Sequence, residues 1–177
     1  MRKIILYIAM SLDGYIADTD GGVAWLGGDG SDKENAGSYP AFIETIDTII
    51  LGYKTYHQVV TELSPGKWIY SGKNAYVLTH KKIESADEII FTDENLPELI
   101  EKIRKNDGKD IWICGGAEIA NQCIALDVID QFCVSIIPTI FGDGVRLFEK
   151  HPKDHPLKLV STRSYNGITD LVYERRG

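Results

Sequence analysis

The run Ile111-Trp112-Ile113-Cys114-Gly115-Gly116-Ala117-Glu118 constrains this chain more than any other stretch, because a short apolar strand ends in two glycines and a helix starts at once. Glycine lets the backbone approach a ligand with no Cβ in the way. The amides of a helix's first turn point outward, with the positive end of the helix dipole behind them. Strand, glycine turn and helix in that order suit a phosphate, and a nucleotide is its natural source. The same doublet also serves as a plain tight turn, so other segments have to decide.

Strand and helix patterns alternate along the rest of the chain. Residues 3–10 read as a buried strand. Residues 11–38 form a long, polar, glycine-rich stretch, the kind of loop that is either a lid or binding loop or locally disordered. Phe42, Ile43 and Ile46 have helical spacing within 39–46, and 48–51 is a β-branched strand closed by Gly52. A helix over 53–63 is stopped by Ser64-Pro65-Gly66. Strands at 75–78 and 89–91 precede a helix over 95–106, whose Leu96, Leu99, Ile100 and Ile103 share one face. Residues 111–114 form a strand, 118–126 a helix and 131–137 a strand, and Gly142-Asp143-Gly144 is a turn before 145–148. Asn166-Gly167 then joins strands at 157–165 and 168–175, the dipeptide that favours a type I′ hairpin. The expected fold is α/β: a mostly parallel sheet with helices on both faces and an antiparallel C-terminal hairpin at one edge. Ligands of such sheets bind beyond the carboxyl ends of the strands, where Gly52, Thr79 and Gly115 all fall.

Bulk properties narrow the partners. With 177 residues, 44% hydrophobic and 25% charged, residues 1–177 are expected to form one domain with a real core. A net charge of -7 argues against a nucleic-acid surface. No apolar run reaches the ~20 residues of a membrane span. The apolar opening is too short for a signal peptide and lacks a small-residue cleavage site, so a soluble, cytoplasmic protein is expected. Cys114, Cys123 and Cys133 make no CxxC pair and read as reduced, buried thiols. His57, His151 and His155 have no metal-ligand spacing with a carboxylate or cysteine, so no metal is expected.

Two further turns resemble the first in their chemistry. Gly52-Tyr53-Lys54-Thr55-Tyr56 again opens a helix after a glycine, with the Thr55 hydroxyl and the Lys54 charge available to a phosphate. Thr79-His80-Lys81-Lys82 offers a polar, basic segment after the next strand. Each alone is also a capped helix or a solvated turn. Three such turns at three strand ends point to a ligand with several phosphates, and a dinucleotide is the economical one.

These turns, taken with Ile8-Ala9-Met10-Ser11-Leu12-Asp13-Gly14-Tyr15-Ile16-Ala17 and Pro138-Thr139-Ile140-Phe141-Gly142-Asp143-Gly144, resemble the dihydrofolate reductase superfamily. The likeness is greatest to the C-terminal reductase domain of bifunctional riboflavin biosynthesis enzymes and their stand-alone bacterial relatives, and it spans nearly the whole chain. The resemblance implies a three-layer α/β/α sandwich and a reduced nicotinamide cofactor, normally NADPH. Ala9 and Ile16 would flank the nicotinamide, and Thr55 would meet the pyrophosphate with Gly115 and Gly116, whose peptide bond is cis in dihydrofolate reductases. Around that turn the implied cofactor-binding set includes Gly52, Cys114, Ala117, Glu118 and Ile119. Lys54, Thr79, His80 and Lys81 fall where relatives hold the 2′-phosphate. Many relatives have Arg where this chain has Tyr53, which bears on the choice of NADPH over NADH.

The substrate side departs from the family. Dihydrofolate reductases carry a carboxylate at the start of the first helix, and Gly37-Ser38-Tyr39 stands there instead, which disfavours a dihydropterin. Asp13 is the candidate catalytic group, with a turn as its other role. Asp32 and Glu34 read as loop residues. Trp25 and Tyr39 are candidates for substrate contact, and Trp25 could equally anchor its loop. The implied activity is an NADPH-dependent reduction resembling that of 5-amino-6-(5-phosphoribosylamino)uracil reductase, by hydride transfer to a small heterocyclic or ribosyl substrate. A dihydrofolate or dihydropterin reductase and a non-catalytic nicotinamide nucleotide-binding protein are the alternatives. The family often forms homodimers, so one is expected here.

Overall fold

The computed structural model describes residues 1–176. Its elements follow the order β1 (Ile4–Ser11), β2 (Tyr15–Ala17), α1 (Tyr39–Thr45), β3 (Ile46–Gly52), α2 (Tyr53–Gln58), β4 (Asn74–Leu78) and β5 (Ile89–Thr92). Then come α3 (Leu96–Lys105), β6 (Asp110–Gly115), α4 (Ala117–Ala125), β7 (Gln131–Ile137), β8 (Val145–Arg146), β9 (Leu157–Tyr165) and β10 (Ile168–Arg175). Eight strands form one sheet in the order β5-β4-β3-β6-β1-β7-β10-β9. It is parallel from β5 to β7, while β10 runs antiparallel to both β7 and β9. This is the expected mostly parallel α/β sheet with a C-terminal antiparallel hairpin. Asn166 and Gly167 both have positive φ at its tip (47° and 73°), as a type I′ turn requires.

Alternation along the strands assigns the two faces. Ile4 and Leu6 of β1 pack with Leu99, Ile100 and Ile103 of α3 and with Ile119 and Cys123 of α4. Ile5 points the other way, into a cluster with Phe42 of α1, Leu51 and Trp112, against which Tyr7, Tyr53, Tyr56, Trp68 and Tyr70 pack. The N-terminal edge of the sheet is closed by charge. Arg2, only 8% exposed, pairs with Asp47 and donates to Thr48 Oγ1 at 2.7 Å, and Arg104 pairs with Asp130.

Two segments differ from the sequence reading. The stretch over 11–38 contains a strand, β2, which pairs with β8 in a separate two-stranded sheet. Its three residues bury Tyr15 and Ala17, too short a run for alternation to register. The expected helix over 53–63 is α-helical only to Gln58 and continues as a π-helical segment, Val59–Leu63. There Ser64 N reaches back to Val59 O at 2.8 Å, and Thr61 Oγ1 donates to His57 O at 2.7 Å, loosening the ordinary ladder.

The glycine-rich stretch is docked rather than loose. Asn166 Oδ1 at the hairpin tip accepts from Gly30 N at 2.9 Å and from Asp32 N at 3.1 Å, and Gln58 Nε2 donates to Gly21 O at 2.8 Å. Gly37 has φ +66°, and a Cβ there would lie 2.1 Å from the Tyr165 ring, so only glycine lets the chain enter α1 across that ring.

Candidate active site

The strand ends bring most of the sequence-selected residues together. Leu51 pairs with Gly115, so Gly52 and the Gly115-Gly116 turn lie side by side. The Gly115-Gly116 peptide is cis, and Gly115 has φ +122°. A Cβ on Gly116 would lie 3.4 Å from Thr55 Oγ1, and one on Gly52 would lie 3.5 Å from Ile119, so the first turns of α2 and α4 converge on the glycines. Helix α4 has Gly116 at its N-cap and no side-chain cap. The amides of Ala117, Glu118 and Ile119 therefore lack intrahelical acceptors. Ala117 and Ile119 are buried, and Glu118 is exposed. Cys114 is partly covered, and burial pushes its thiol up to about 12, which removes it as a nucleophile at neutral pH.

The basic candidates gather at the β3–β4 side. Lys81 Nζ sits 4.0 Å above the Tyr53 ring, a cation–π contact that places a positive charge beside the start of α2. Lys54 and His80 are exposed. Thr79 Oγ1 accepts from Lys81 N at 3.1 Å, shaping the turn that presents Lys81. Ala9 and Ile16 are half-buried on the other side of the glycine turn, on β1 and β2.

Asp13 is fully engaged. Its carboxylate accepts from Ser11 Oγ at 2.6 Å, Gly142 N at 2.7 Å and Phe141 N at 3.1 Å. The Ser11 hydroxyl first, with the Gly142 and Phe141 amides, holds its carboxyl down to about 2. Trp25 packs edge-on against Phe141 at 4.8 Å between centroids and donates Nε1 to Gly22 O at 3.1 Å. Tyr39 stands apart from it, edge-on to Tyr7 at 5.9 Å and to Trp112 at 6.2 Å. Asp32 accepts from Asn35 Nδ2 at 2.9 Å within an exposed loop.

A carboxylate does stand at the start of α1, and it comes from β10. Asp170, 4% exposed, accepts from Ser38 Oγ at 2.5 Å, Ser135 Oγ at 2.6 Å and Tyr165 OH at 3.2 Å. Ser38 occupies the N-cap position of α1 but makes no cap bond, because its hydroxyl is turned toward Asp170. Tyr7 OH lies 2.8 Å from Ser38 Oγ. Sequence reasoning found no acid here because Asp170 lies 132 residues from Ser38. The signal was its alternation with Ile168 and Val172, an acid at an inward position of a strand. Asp170 pairs with Ser135 and Ser135 with Ala9, so the three occupy one row across β10, β7 and β1. At strand spacing, Asp170 is about 10 Å from Ala9. Burial and the negative Asp170 push the Tyr165 hydroxyl up to about 12 and the Cys133 thiol up to about 11. Burial also raises Tyr7. These groups keep their protons at neutral pH.

The model of the RibD C-terminal domain matches residues 2–173. The Bacillus subtilis protein YwjB is 37% identical over 177 residues, covering 98% of each chain. A solved Thermotoga maritima diaminohydroxyphosphoribosylaminopyrimidine deaminase/5-amino-6-(5-phosphoribosylamino)uracil reductase superposes with TM-score 0.73 at 17% identity, over 99% of this chain and 57% of that one. Enterococcus faecalis dihydrofolate reductase, solved with NADP(H), superposes with TM-score 0.69 at 17% identity, over 99% and 97% of the two chains. Among the described residues no helix is long and apolar enough to cross a membrane.

Proposed function

The chain belongs to the RibD C-terminal domain family, a family of reductases, and from that premise we propose that it is an NADPH-dependent reductase of a small heterocyclic or ribosyl substrate. The observation that carries this reading is the cradle where Gly116, Thr55 Oγ1 and the uncapped start of α4 meet. The donor set fits a pyrophosphate: free amides, one hydroxyl and no side chain between them. Lys81 over Tyr53, with Lys54 and His80 nearby, fits the adenosine 2′-phosphate, with Lys81 standing in for the arginine that Tyr53 replaces. Gly52, Thr79, Gly115, Ala117, Glu118 and Ile119 build that surface, with Cys114 beneath it, and Ala9 and Ile16 border the nicotinamide end. When bound there, NADPH supplies a hydride from nicotinamide C4.

The chain's own residues do the rest. The row Ala9, Ser135 and Asp170 sets the substrate beside the nicotinamide position, and Tyr39, exposed and backed edge-on by the buried Trp112, offers an aromatic wall to a planar ring. Asp13 holds the 11–14 turn to residues 141 and 142, and a carboxyl held down to about 2 by Ser11 first carries no proton at neutral pH, so it is a positioning residue rather than a proton donor. Trp25 steadies the same region through Phe141. The accompanying proton comes from water or from a side chain of the 11–38 loop.

A dihydropterin substrate is the second reading, favoured by the Asp170 carboxylate beside Ser38. The test is the loss of nicotinamide absorbance when purified protein and NADPH meet a panel containing the phosphoribosylaminouracil, its dephosphorylated form and dihydrofolate. Turnover of a uracil supports the first reading, and turnover of dihydrofolate alone supports the second. NADPH binding with no turnover across the panel leaves a non-catalytic nucleotide-binding protein. The protein is expected to be soluble, cytoplasmic and homodimeric, which fractionation and sedimentation would check.

A further inference from the structure

Aromatic rings form an unbroken chain along the face of the sheet that α1 and α2 cover. From the exposed His57 on α2 it passes to Tyr53 at 5.9 Å between centroids, to Tyr56 at 6.1 Å, to Trp68 at 5.7 Å and to Tyr70 at 5.0 Å. Trp112 follows at 5.2 Å, then Tyr39 at 6.2 Å and Tyr7 at 5.9 Å. Phe42, stacked on Tyr7 and edge-on to Trp112, is a second bridge at that end. Tyr and Trp give up an electron more readily than Phe or any aliphatic side chain. Rings this close hand an electron vacancy from one to the next, so the chain is suited to one-electron oxidation.

The surroundings of the rings decide where the vacancy comes to rest. A phenol is oxidised easily only when its proton has somewhere to go, and an oxidised indole that keeps its proton passes the vacancy on. Among the described residues Trp68 Nε1 is buried with no hydrogen-bond partner, and Trp112 Nε1 donates to the weakly basic Tyr7 O at 2.9 Å. The Tyr70 hydroxyl meets the Cys114 thiol, which burial pushes up to about 12, so the thiol offers no base. Tyr7 differs. Its hydroxyl lies 2.8 Å from Ser38 Oγ, whose own hydrogen goes to Asp170 Oδ2 at 2.5 Å. Tyr7 is therefore the donor of its pair, and a carboxylate stands at the end of the line. The charges at the two ends act in the same sense. Lys81 Nζ, 4.0 Å over the Tyr53 ring, opposes a positive vacancy there, and the Asp170 carboxylate, 4% exposed, attracts one toward Tyr7. Tyr7, Ser38 and Asp170 also line a groove of about 350 Å³ between α1 and the sheet, where Lys3 is paired with Glu174.

We propose that these rings are a one-electron relay that carries an oxidising equivalent from the α2 surface to Tyr7, where it ends as a neutral tyrosyl radical. The oxidant, a one-electron acceptor of the metal-complex or free-radical class at the α2 surface, gains one electron. Each ring is refilled by the next, and Tyr7 gives the last electron. Its O–H bond breaks as the proton passes to Ser38 Oγ, and the Ser38 hydrogen passes to Asp170. The products are a neutral Tyr7 radical, an intact Ser38 hydroxyl and a protonated Asp170. Oxidation is moved off Tyr53, at the start of α2 beside the glycine cradle, to a half-buried ring on β1. The inference holds whatever the cofactor and substrate are.

The test tethers a ruthenium bipyridine complex to His57, with His80→Gln removing the other exposed histidine, since His151 and His155 are half-buried. A laser flash with a soluble quencher makes ruthenium(III), and transient absorption and electron paramagnetic resonance follow the radical it creates. A neutral tyrosyl radical is expected, and it is expected to be lost in Tyr7→Phe, which keeps the ring without the hydroxyl. Trp68→Phe combined with Tyr70→Phe keeps the packing rings but interrupts the chain, and the Tyr7 radical should be lost there too. Asp170→Asn removes the proton acceptor and is expected to leave a tryptophan cation radical in place of the tyrosyl. Near-ultraviolet circular dichroism reports whether each variant has folded, and the flash on the tethered protein stands without them. The proposal would be overturned by no tyrosyl radical in the tethered protein, by one that survives in folded Tyr7→Phe, or by an undiminished yield in the folded double variant.

Discussion

The two faces of the sheet are filled by different chemistry. Against α3 and α4 the contacts are mainly aliphatic, with Phe132 as the buried aromatic: Ile4, Leu6, Leu99, Ile103, Ile111 and Ile113 are at most 2% exposed. Against α1 and α2 a layer of aromatic rings covers Ile46, Ile49, Leu51 and Val77, running from Tyr7 stacked on Phe42 at 4.2 Å, through Trp112 and Tyr70 at 5.2 Å, to Tyr56 and Trp68 at 5.7 Å. Aliphatic packing excludes polar ligands and contributes stability in proportion to area. The aromatic rings pack mainly on one another, and Tyr39 is the one at the start of α1 that stays exposed beside the buried carboxylate. One face holds the fold, and the other carries the groove that the proposed reading assigns to a substrate.

The largest test of that division is Leu99→Ala on the aliphatic face, fully buried on α3. It is expected to cost about 2–5 kcal/mol in denaturant unfolding while leaving nicotinamide affinity of the folded protein unchanged. A loss of affinity in step with stability would break the comparison. Gly37→Ala comes next. The positive φ and the overlap with Tyr165 predict a cost of about 1–3 kcal/mol, accompanied by displaced Tyr165 and Asp170 resonances. A silent substitution would mean that the entry to α1 is not held as described. Gly116→Val, at an ordinary φ of -73°, is expected to weaken NADPH at least about tenfold, or ~1.4 kcal/mol, with little change in unfolding midpoint.

Alkali gives the smallest effect and samples both faces. Burial raises Cys114 and Cys123 to about 12 and Cys133 to about 11, from an ordinary 9.0. The folded state keeps these protons where the unfolded chain has released them. Their contribution is therefore complete below about pH 9 and declines as pH rises toward 11 and 12. Unfolding midpoints should fall over that window, and less so in Cys133→Ser. A flat profile would show that the thiols are solvated.

The sheet was legible because its strands and helices carry their own periodicity: Leu96, Leu99, Ile100 and Ile103 mark α3, and Asn166-Gly167 marks the hairpin. The glycine cradle was legible for the same local reason. Asp170 was not, since its meaning comes from Ser38 and Ser135, far away in sequence, and within Ile168–Arg175 it reads as one polar residue of an edge hairpin. Asp13 stood out by its turn, but the contacts that Ser11, Phe141 and Gly142 make to its carboxylate arise only in the fold, which brings 141 and 142 to the 11–14 turn. Local signals predict elements and backbone sites. Side-chain networks that cross the sheet need the fold.

The most direct test of the central claim is a titration of purified protein with NADPH and, separately, NADH, followed by Trp fluorescence, in wild type and Gly116→Val. Saturable NADPH binding, weaker for NADH and weaker again in the variant, is the predicted result. No saturable binding of either nucleotide up to about 1 mM would contradict it and return Gly115-Gly116 to an ordinary turn.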